Sequence, residues 1–127
     1  MSTHEENLRE WAKGNYATEA ATELLLRAFG GRFAKPNAWT WPARTTPEGY
    51  EDSAWIDFDA ILDNIGPLSS GEKGILKLAA SIGSLKGEVS IKDALWSLDD
   101  SNARLAVTAI ARSAGPVGGR FLLEWPA

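Results

Sequence analysis

The stretch LSSGEKGILKLAASIGSL, residues 68–85, combines the clearest helix start in the chain with its strongest helical periodicity. Ser69 and Glu72 have the S-x-x-E spacing of a capping box, in which the serine side chain accepts from a first-turn amide and the glutamate reaches back to the serine amide. Apolar residues then follow at the spacing that forms one stripe along a helix, namely Ile75, Leu78, Ala79, Ile82 and Leu85. The stretch therefore predicts an amphipathic helix that must bury one face.

Other segments have similar helix starts. Thr3 and Asn15 each precede an amphipathic segment, and Asp99 precedes a third one that ends before Gly115. Residues 89–91 and 120–125 have short β-compatible patterns that could pair with each other. The sequence thus predicts a mainly α fold, a single compact domain of about five to six helices with a small β element around 89–91 and 120–125.

The segment between the proline-rich region and residue 68 allows two interpretations. Trp55, Phe58, Leu62 and Ile65 follow helical spacing, which predicts a helix. That helix would leave carboxylates at positions 57, 59 and 63 for water. An alternating pattern from Trp55 to Phe58 also fits a short strand, although this pattern is weaker.

Composition limits the classes of protein to consider. The 127 residues fit one domain, 1–127, and the absence of cysteine excludes disulfides and cysteine-based metal sites. Residues 1–66 hold 6 Lys and Arg against 11 Asp and Glu, and residues 67–127 hold 7 against 6. The acidic half disfavours a phosphate partner. MSTHEENLREW lacks the pattern of a signal peptide and no run is long enough to span a membrane, so we expect a cytoplasmic protein without membrane contact.

Six tryptophans are a heavy load for this length. Trp11, Trp55 and Trp96 fall on helical apolar stripes and are expected in the core. Two more tryptophans, Trp39 and Trp41, lie together with Tyr50 in a proline-rich loop, residues 32–53. Large aromatic side chains on a loop are typical interface anchors, although they can also cover a core edge. Trp39, Trp41 and Tyr50 are therefore the candidate protein interface.

The sequence contains few of the residue combinations that catalysis or metal binding requires. His4 is the only histidine and lies at a terminal helix start, so we expect it to be solvated. Without a second histidine or a cysteine, the usual nucleophile and base pairs cannot be built. Asp57, Asp59 and Asp63 lack the glycine-bearing loop of a calcium site and fit a charged outer surface. We predict no catalytic, cofactor-binding or metal-binding residues, and a protein that is not an enzyme.

The string LSSGEK resembles the LSGGQ signature motif of ABC-type ATPases, which contacts nucleotide at a helix start. That resemblance would imply nucleotide binding, but the chain has neither a phosphate-cradling G-x-x-x-x-G-K-[ST] loop nor an apolar strand ending in a magnesium-binding carboxylate. We therefore interpret LSSGEK as a capped helix start.

The second half, residues 67–127, has the order helix, short β piece, helix, turn, helix, strand, and resembles a winged helix-turn-helix. The resemblance implies that residues 101–114 would be the recognition helix. Its candidate nucleic-acid contacts would be Asn102, Arg104, Thr108 and Arg112. Carboxylates at positions 99 and 100 would then approach phosphates, which opposes binding.

The runs EWAKGNYATEAATELLLRAFGGRF and SSGEKGILKLAASIG with SIKDALWSLDDSN also resemble small uncharacterised proteins of high-GC Gram-positive bacteria. This resemblance implies a bacterial cytoplasmic protein that folds as one unit, and it implies no particular activity. Two functions stay open at this point: a protein-protein interaction module, with an unidentified partner or a second copy of the chain, and a DNA-binding regulator. Charge favours the first.

Overall fold

The structure is a computed structural model that describes residues 3–35, 44–45, 54–63, 65–84, 88–115 and 123–126. Its helices are α1 (His4–Ala12), α2 (Tyr16–Arg27), α3 (Ser70–Gly83), α4 (Ile91–Leu95) and α5 (Asp100–Ser113). Two short strands, β1 (Arg44–Thr45) and β2 (Ile56–Asp57), and two 3₁₀ segments, Ala28–Ala34 and Phe58–Ala60, complete the described elements. The mainly α fold class is confirmed.

Each of the five described α-helices begins at a side-chain cap. The capping oxygens each accept a hydrogen bond from the backbone amide three residues further on, and they belong to Thr3, Asn15, Ser69, Ser90 and Asp99. Such a cap satisfies one of the amides that a helix start leaves without an intrahelical partner. Ser69 and Glu72 form the complete capping box that the sequence predicts.

Helix α2 lies at the centre of the fold, because it packs against α1, α3 and α5. Leu24 and Leu25 of α2 and Ile75 and Leu76 of α3 are fully buried. The same cluster of buried side chains includes Phe33 of the first 3₁₀ segment and residues of α1, α4 and α5. The described elements therefore share one hydrophobic core.

The small β element does not lie where the sequence predicts it. β1 and β2 pair antiparallel, with Arg44 opposite Asp57 and Thr45 opposite Ile56. The predicted strand at 89–91 is wrong, because Ser90 caps α4 and Ile91 is its first residue. Residues 123–126 form no strand, and residues 120–122 lie outside the described part of the chain.

The helix predicted from Trp55 to Ile65 is also wrong, and the weaker strand alternative is right for Ile56–Asp57. Ala54, Ile56 and Phe58 are buried, while Trp55 between them is 39% exposed. Burial at every second residue is the pattern of a strand. Trp55 and Phe58 are three residues apart, which would place them on the same face of a helix but on opposite faces of a strand, and their different burial fits the strand.

Helix α4 lies unusually close to α3. A β-carbon placed on Gly74 would collide with the backbone carbonyl of Ala94, whereas one on Gly71 would make an ordinary contact with the carbonyl of Ser97. At Gly74 only glycine allows the two backbones to approach to this degree. Gly74 therefore fixes the position of α4 on the surface of the fold. Among the described residues, each helix is too short or too polar to cross a membrane.

Candidate functional site

The most exposed large apolar side chain among the described residues is Trp96, which follows the last residue of α4. It is 82% exposed, and Ile91 at the start of the same helix is 58% exposed. The opposite side of α4 is anchored, since Ala94 is fully buried and Leu95 and Leu98 pack against the core. The expectation that Trp96 belongs to the core is wrong. Ile91 and Trp96 are five residues apart, which is about 140° around a helix, so they do not share a face. We call the exposed side that carries Trp96 the α4 surface.

The two other tryptophans expected in the core are only partly covered. Trp11 is 41% exposed and stacks on Phe58 with a ring centroid distance of 6.4 Å. Trp55 is 39% exposed. Both therefore border the core and do not fill it. Trp39, Trp41 and Tyr50, the candidate interface in the proline-rich loop, lie outside the described residues and stay a prediction.

Helix α5 separates the four candidate nucleic-acid contacts. Asn102 is 8% exposed and Thr108 is 5% exposed, so the prediction that they face a partner is wrong for these two. The Thr108 hydroxyl donates to the carbonyl of Arg104 at 2.7 Å. Arg104 is exposed, whereas Arg112 donates to the carbonyl of Leu123 at 2.7 Å. The four residues do not form one outward surface.

Arg112 belongs to a structure that we call the C-terminal clasp, formed by Arg27, Arg112 and residues 123–126. Arg27 donates to the carbonyl of Pro126 at 3.1 Å, and Arg112 donates to that of Leu123. Both guanidinium groups also lie near the Trp125 ring, at 5.4 Å and 5.9 Å from its centroid. These distances are typical of cation–π contacts. The clasp holds Trp125 against α2 and α5.

Glu23 of α2 links the clasp to α1. Arg9 binds its carboxylate through two hydrogen bonds, of 2.8 and 3.1 Å, and Arg27 donates to it at 2.7 Å. Partial burial alone raises the pKa of Glu23, but the hydrogen bonds and charges of the two arginines outweigh it and lower the pKa below its usual value. The hydrogen bond to Glu23 raises the pKa of Arg9. Glu23 is therefore ionised and fully engaged.

A cleft of about 280 Å³ lies beside this network, between the turn joining α1 to α2, the exposed edge of α2, and the clasp. Its walls carry charged side chains, aromatic rings and small apolar residues: Arg9, Ala12, Lys13, Tyr16, Glu19, Ala20, Thr22, Glu23, Arg112 and Trp125. Glu19 accepts from the amide of Gly14 at 2.8 Å, which occupies one of its oxygens. The cleft therefore combines cations with apolar surface.

Two of the residues considered for chemistry, His4 and Asp59, make structural contacts. His4 Nε2 lies 2.8 Å from the carbonyl of Ala34, so the expectation that His4 is solvated is wrong. Asp59 accepts a hydrogen bond from the Ser84 hydroxyl. Within the described ranges, no three His, Asp or Glu side chains converge as metal ligands would.

The helix start LSSGEK has a structural partner as well. Arg32 donates to Glu72 at 2.5 Å, while the other carboxylate oxygen of Glu72 accepts from the Ser69 amide at 3.1 Å. That backbone hydrogen bond is the main reason why the pKa of Glu72 lies below its usual value. The arrangement matches the capped helix start that we inferred from S-x-x-E spacing.

Sequence reasoning missed the cleft and the clasp, because Arg9, Arg27, Arg112 and Trp125 are far apart in the chain and follow no motif. A usable signal was the placement of arginines on the polar sides of α1, α2 and α5. Comparison of the chain with family models, with curated proteins and with solved structures gave no match.

Proposed function

We propose that the protein is a non-enzymatic interaction module of the bacterial cytoplasm that binds a protein partner through the α4 surface. The observation that carries the proposal is the exposure of Trp96, 82%, directly after a helix whose other side packs against the core. Tryptophan is the residue most enriched among the side chains that dominate binding energy in protein interfaces. Because Ala94, Leu95 and Leu98 anchor the backbone on both sides of Trp96, little further ordering of the backbone is needed on binding.

Two further features support the proposal. First, the one histidine of the chain contacts the Ala34 carbonyl, so it is not oriented towards a nucleophile among the described residues. Second, α5 offers only Arg104 as an exposed member of the four candidate DNA contacts, while Arg112 holds the C-terminal segment. Phosphate binding depends on several cations on one surface, so α5 gives the DNA-binding alternative little support.

The test compares three variants with the wild type: Trp96→Ala, Val107→Ala as a control at a 50% exposed apolar position on α5, and the double variant Trp39→Ala, Trp41→Ala in the loop. Light scattering across a concentration series measures self-association, and affinity capture measures binding of other proteins. Urea unfolding first establishes that each variant is folded. Because Trp96 is mostly exposed, its replacement should change the free energy of unfolding by less than about 1 kcal/mol.

We expect Trp96→Ala to lose association or capture, while Val107→Ala retains both. If the loop variant alone loses binding, the interface lies at Trp39 and Trp41 and the assignment to α4 is wrong. Association and capture equal to the wild type in all three variants would contradict the assignment of the interface to either surface. A wild type that neither associates nor captures a protein would contradict the interaction function.

A further inference from the structure

A second inference concerns the cleft beside the C-terminal clasp and is independent of the α4 surface. We propose that this cleft binds a small carboxylic acid with an apolar body, its carboxylate among Lys13 and Arg112 and its body against Tyr16 and Trp125. The ligand class follows from charge, from shape and from the engagement of each lining group.

The charges of the cleft favour an anion. Glu23 is neutralised by Arg9 and Arg27, which bind it at 2.7–3.1 Å. The Lys13 ammonium group has no partner among the described residues, and Arg112 uses only one of its terminal nitrogens, for the Leu123 carbonyl. Glu19 carries the one carboxylate that no described cation neutralises, and it is tied to the Gly14 amide. The two positive charges of Lys13 and Arg112 thus exceed the single negative charge of Glu19.

The remaining lining of the cleft is apolar, and it indicates that the part of the ligand beyond the carboxylate is apolar too. Ala20 is 2% exposed and leaves the floor of the cleft flat, and the rings of Tyr16 and Trp125 form its sides. The Trp125 ring is held by two arginines, and the Tyr16 ring lies directly over Gly115, where a β-carbon would collide with it. The Tyr16 ring is 54% exposed, so together the two rings offer an accessible surface for an aromatic or branched aliphatic group.

The size of the cleft limits the ligand to a small one. Its volume of about 280 Å³ is just below the range that is usual for sites of drug-sized molecules. A carboxylate suits the guanidinium group of Arg112, which is partly exposed and lines the cleft, since planar carboxylates match the paired N–H groups of arginine. Inorganic phosphate would satisfy the cations but would leave the two rings without a partner.

The experiment uses the full chain and four probes: phenylacetate, its neutral analogue phenylacetamide, acetate and inorganic phosphate. Binding is followed by NMR through the indole N–H signal of Trp125, which is assigned by its loss in a Trp125→Phe variant. We expect a saturable shift with phenylacetate, and binding of phenylacetamide and acetate that is weaker by about tenfold, because each lacks one of the two recognised groups.

Lys13→Gln is the decisive variant, because the Lys13 side chain makes no contact that the fold needs. The variant should weaken the binding of phenylacetate by about threefold, the size expected for one exposed ion pair. It should leave the binding of phenylacetamide unchanged. Lys92→Gln on α4 is the matched control, since Lys92 is exposed and lies away from the cleft. Ala20→Leu should weaken the binding of both aromatic probes, phenylacetate and phenylacetamide, because the larger side chain fills the floor of the cleft.

Four results would overturn the inference. The first three are the absence of a saturable Trp125 shift with phenylacetate, equal binding of phenylacetate and phenylacetamide, and an equal loss of phenylacetate binding in Lys13→Gln and Lys92→Gln. Phosphate that binds more tightly than phenylacetate would also contradict it, because the rings would then have no role. None of these outcomes depends on Trp96, so failure here is distinct from failure of the interaction function.

Discussion

Gly74 of α3 lies directly against the carbonyl of Ala94 in α4, with no space for a β-carbon between them. The contact holds α4 at its position, and the side chain of Leu98 closes the same region. Because Trp96 lies between Ala94 and Leu98 in the chain, the packing at Gly74 also fixes where this tryptophan is presented. The geometry of the α4 surface therefore depends on a glycine in a neighbouring helix.

Gly74→Ala should destabilise the protein by about 1–3 kcal/mol, since the added methyl group forces the two backbones apart. Alanine is a better helix former than glycine, so a loss of stability here would have to come from packing. Urea unfolding monitored by circular dichroism measures the change. Gly66→Ala is the control, because a β-carbon at Gly66 meets no atom within 4 Å. Equal midpoints for both variants would show that α4 can move away from α3 at little cost.

Sequence patterns were reliable where the deciding interaction is local. A cap involves residues three apart, so Ser69 with Glu72 and Asp99 with Asn102 could be identified from spacing alone. The exposure of Trp96 could not be identified from spacing. Helical periodicity shows which residues share a face of the helix, but it does not show which face packs against the core. In α4 the close approach at Gly74 decides this, and no feature within residues 91–96 reports it.

Ser69→Ala should lower the free energy of unfolding by about 1 kcal/mol, because the Glu72 amide loses the hydroxyl that accepts from it at 3.2 Å. Chemical unfolding measures the difference. Ser70→Ala provides the control one residue further along, where the serine is not the cap. The prediction fails if the two alanine variants are equally stable.

The pH dependence of stability should carry a contribution from Glu23. Its pKa is lowered in the folded protein, so its ion pairs stabilise the fold above the ordinary glutamate value, about 4.3, and this stabilisation is lost as the pH falls through the lowered pKa. Glu23→Gln removes the contribution. We expect wild type and variant to differ most above pH 5 and to converge towards pH 3 in urea unfolding series.

Glu88→Gln is the control for this series, because Glu88 is exposed and forms no ion pair with the described residues. Its stability curve should run parallel to that of the wild type. A constant difference between Glu23→Gln and wild type from pH 7 to pH 3 would mean that the ion pairs with Arg9 and Arg27 are not what stabilises this region.

The substitution Thr22→Val tests whether the buried Thr22 hydroxyl contributes to stability. Thr22 lines the cleft and is 1% exposed, and its hydroxyl has no hydrogen-bond partner in the described part of the chain. Valine has nearly the same shape without the cost of a buried, unpaired hydroxyl, so the variant should be as stable as the wild type or more stable by about 1 kcal/mol. Thr108→Val is the matched control, since that hydroxyl donates to the Arg104 carbonyl and its loss should not stabilise the protein. Thermal or urea unfolding of both variants gives the comparison. If Thr22→Val is less stable than the wild type, the Thr22 hydroxyl has a partner in solution. A bound water inside the cleft would be the first candidate to examine.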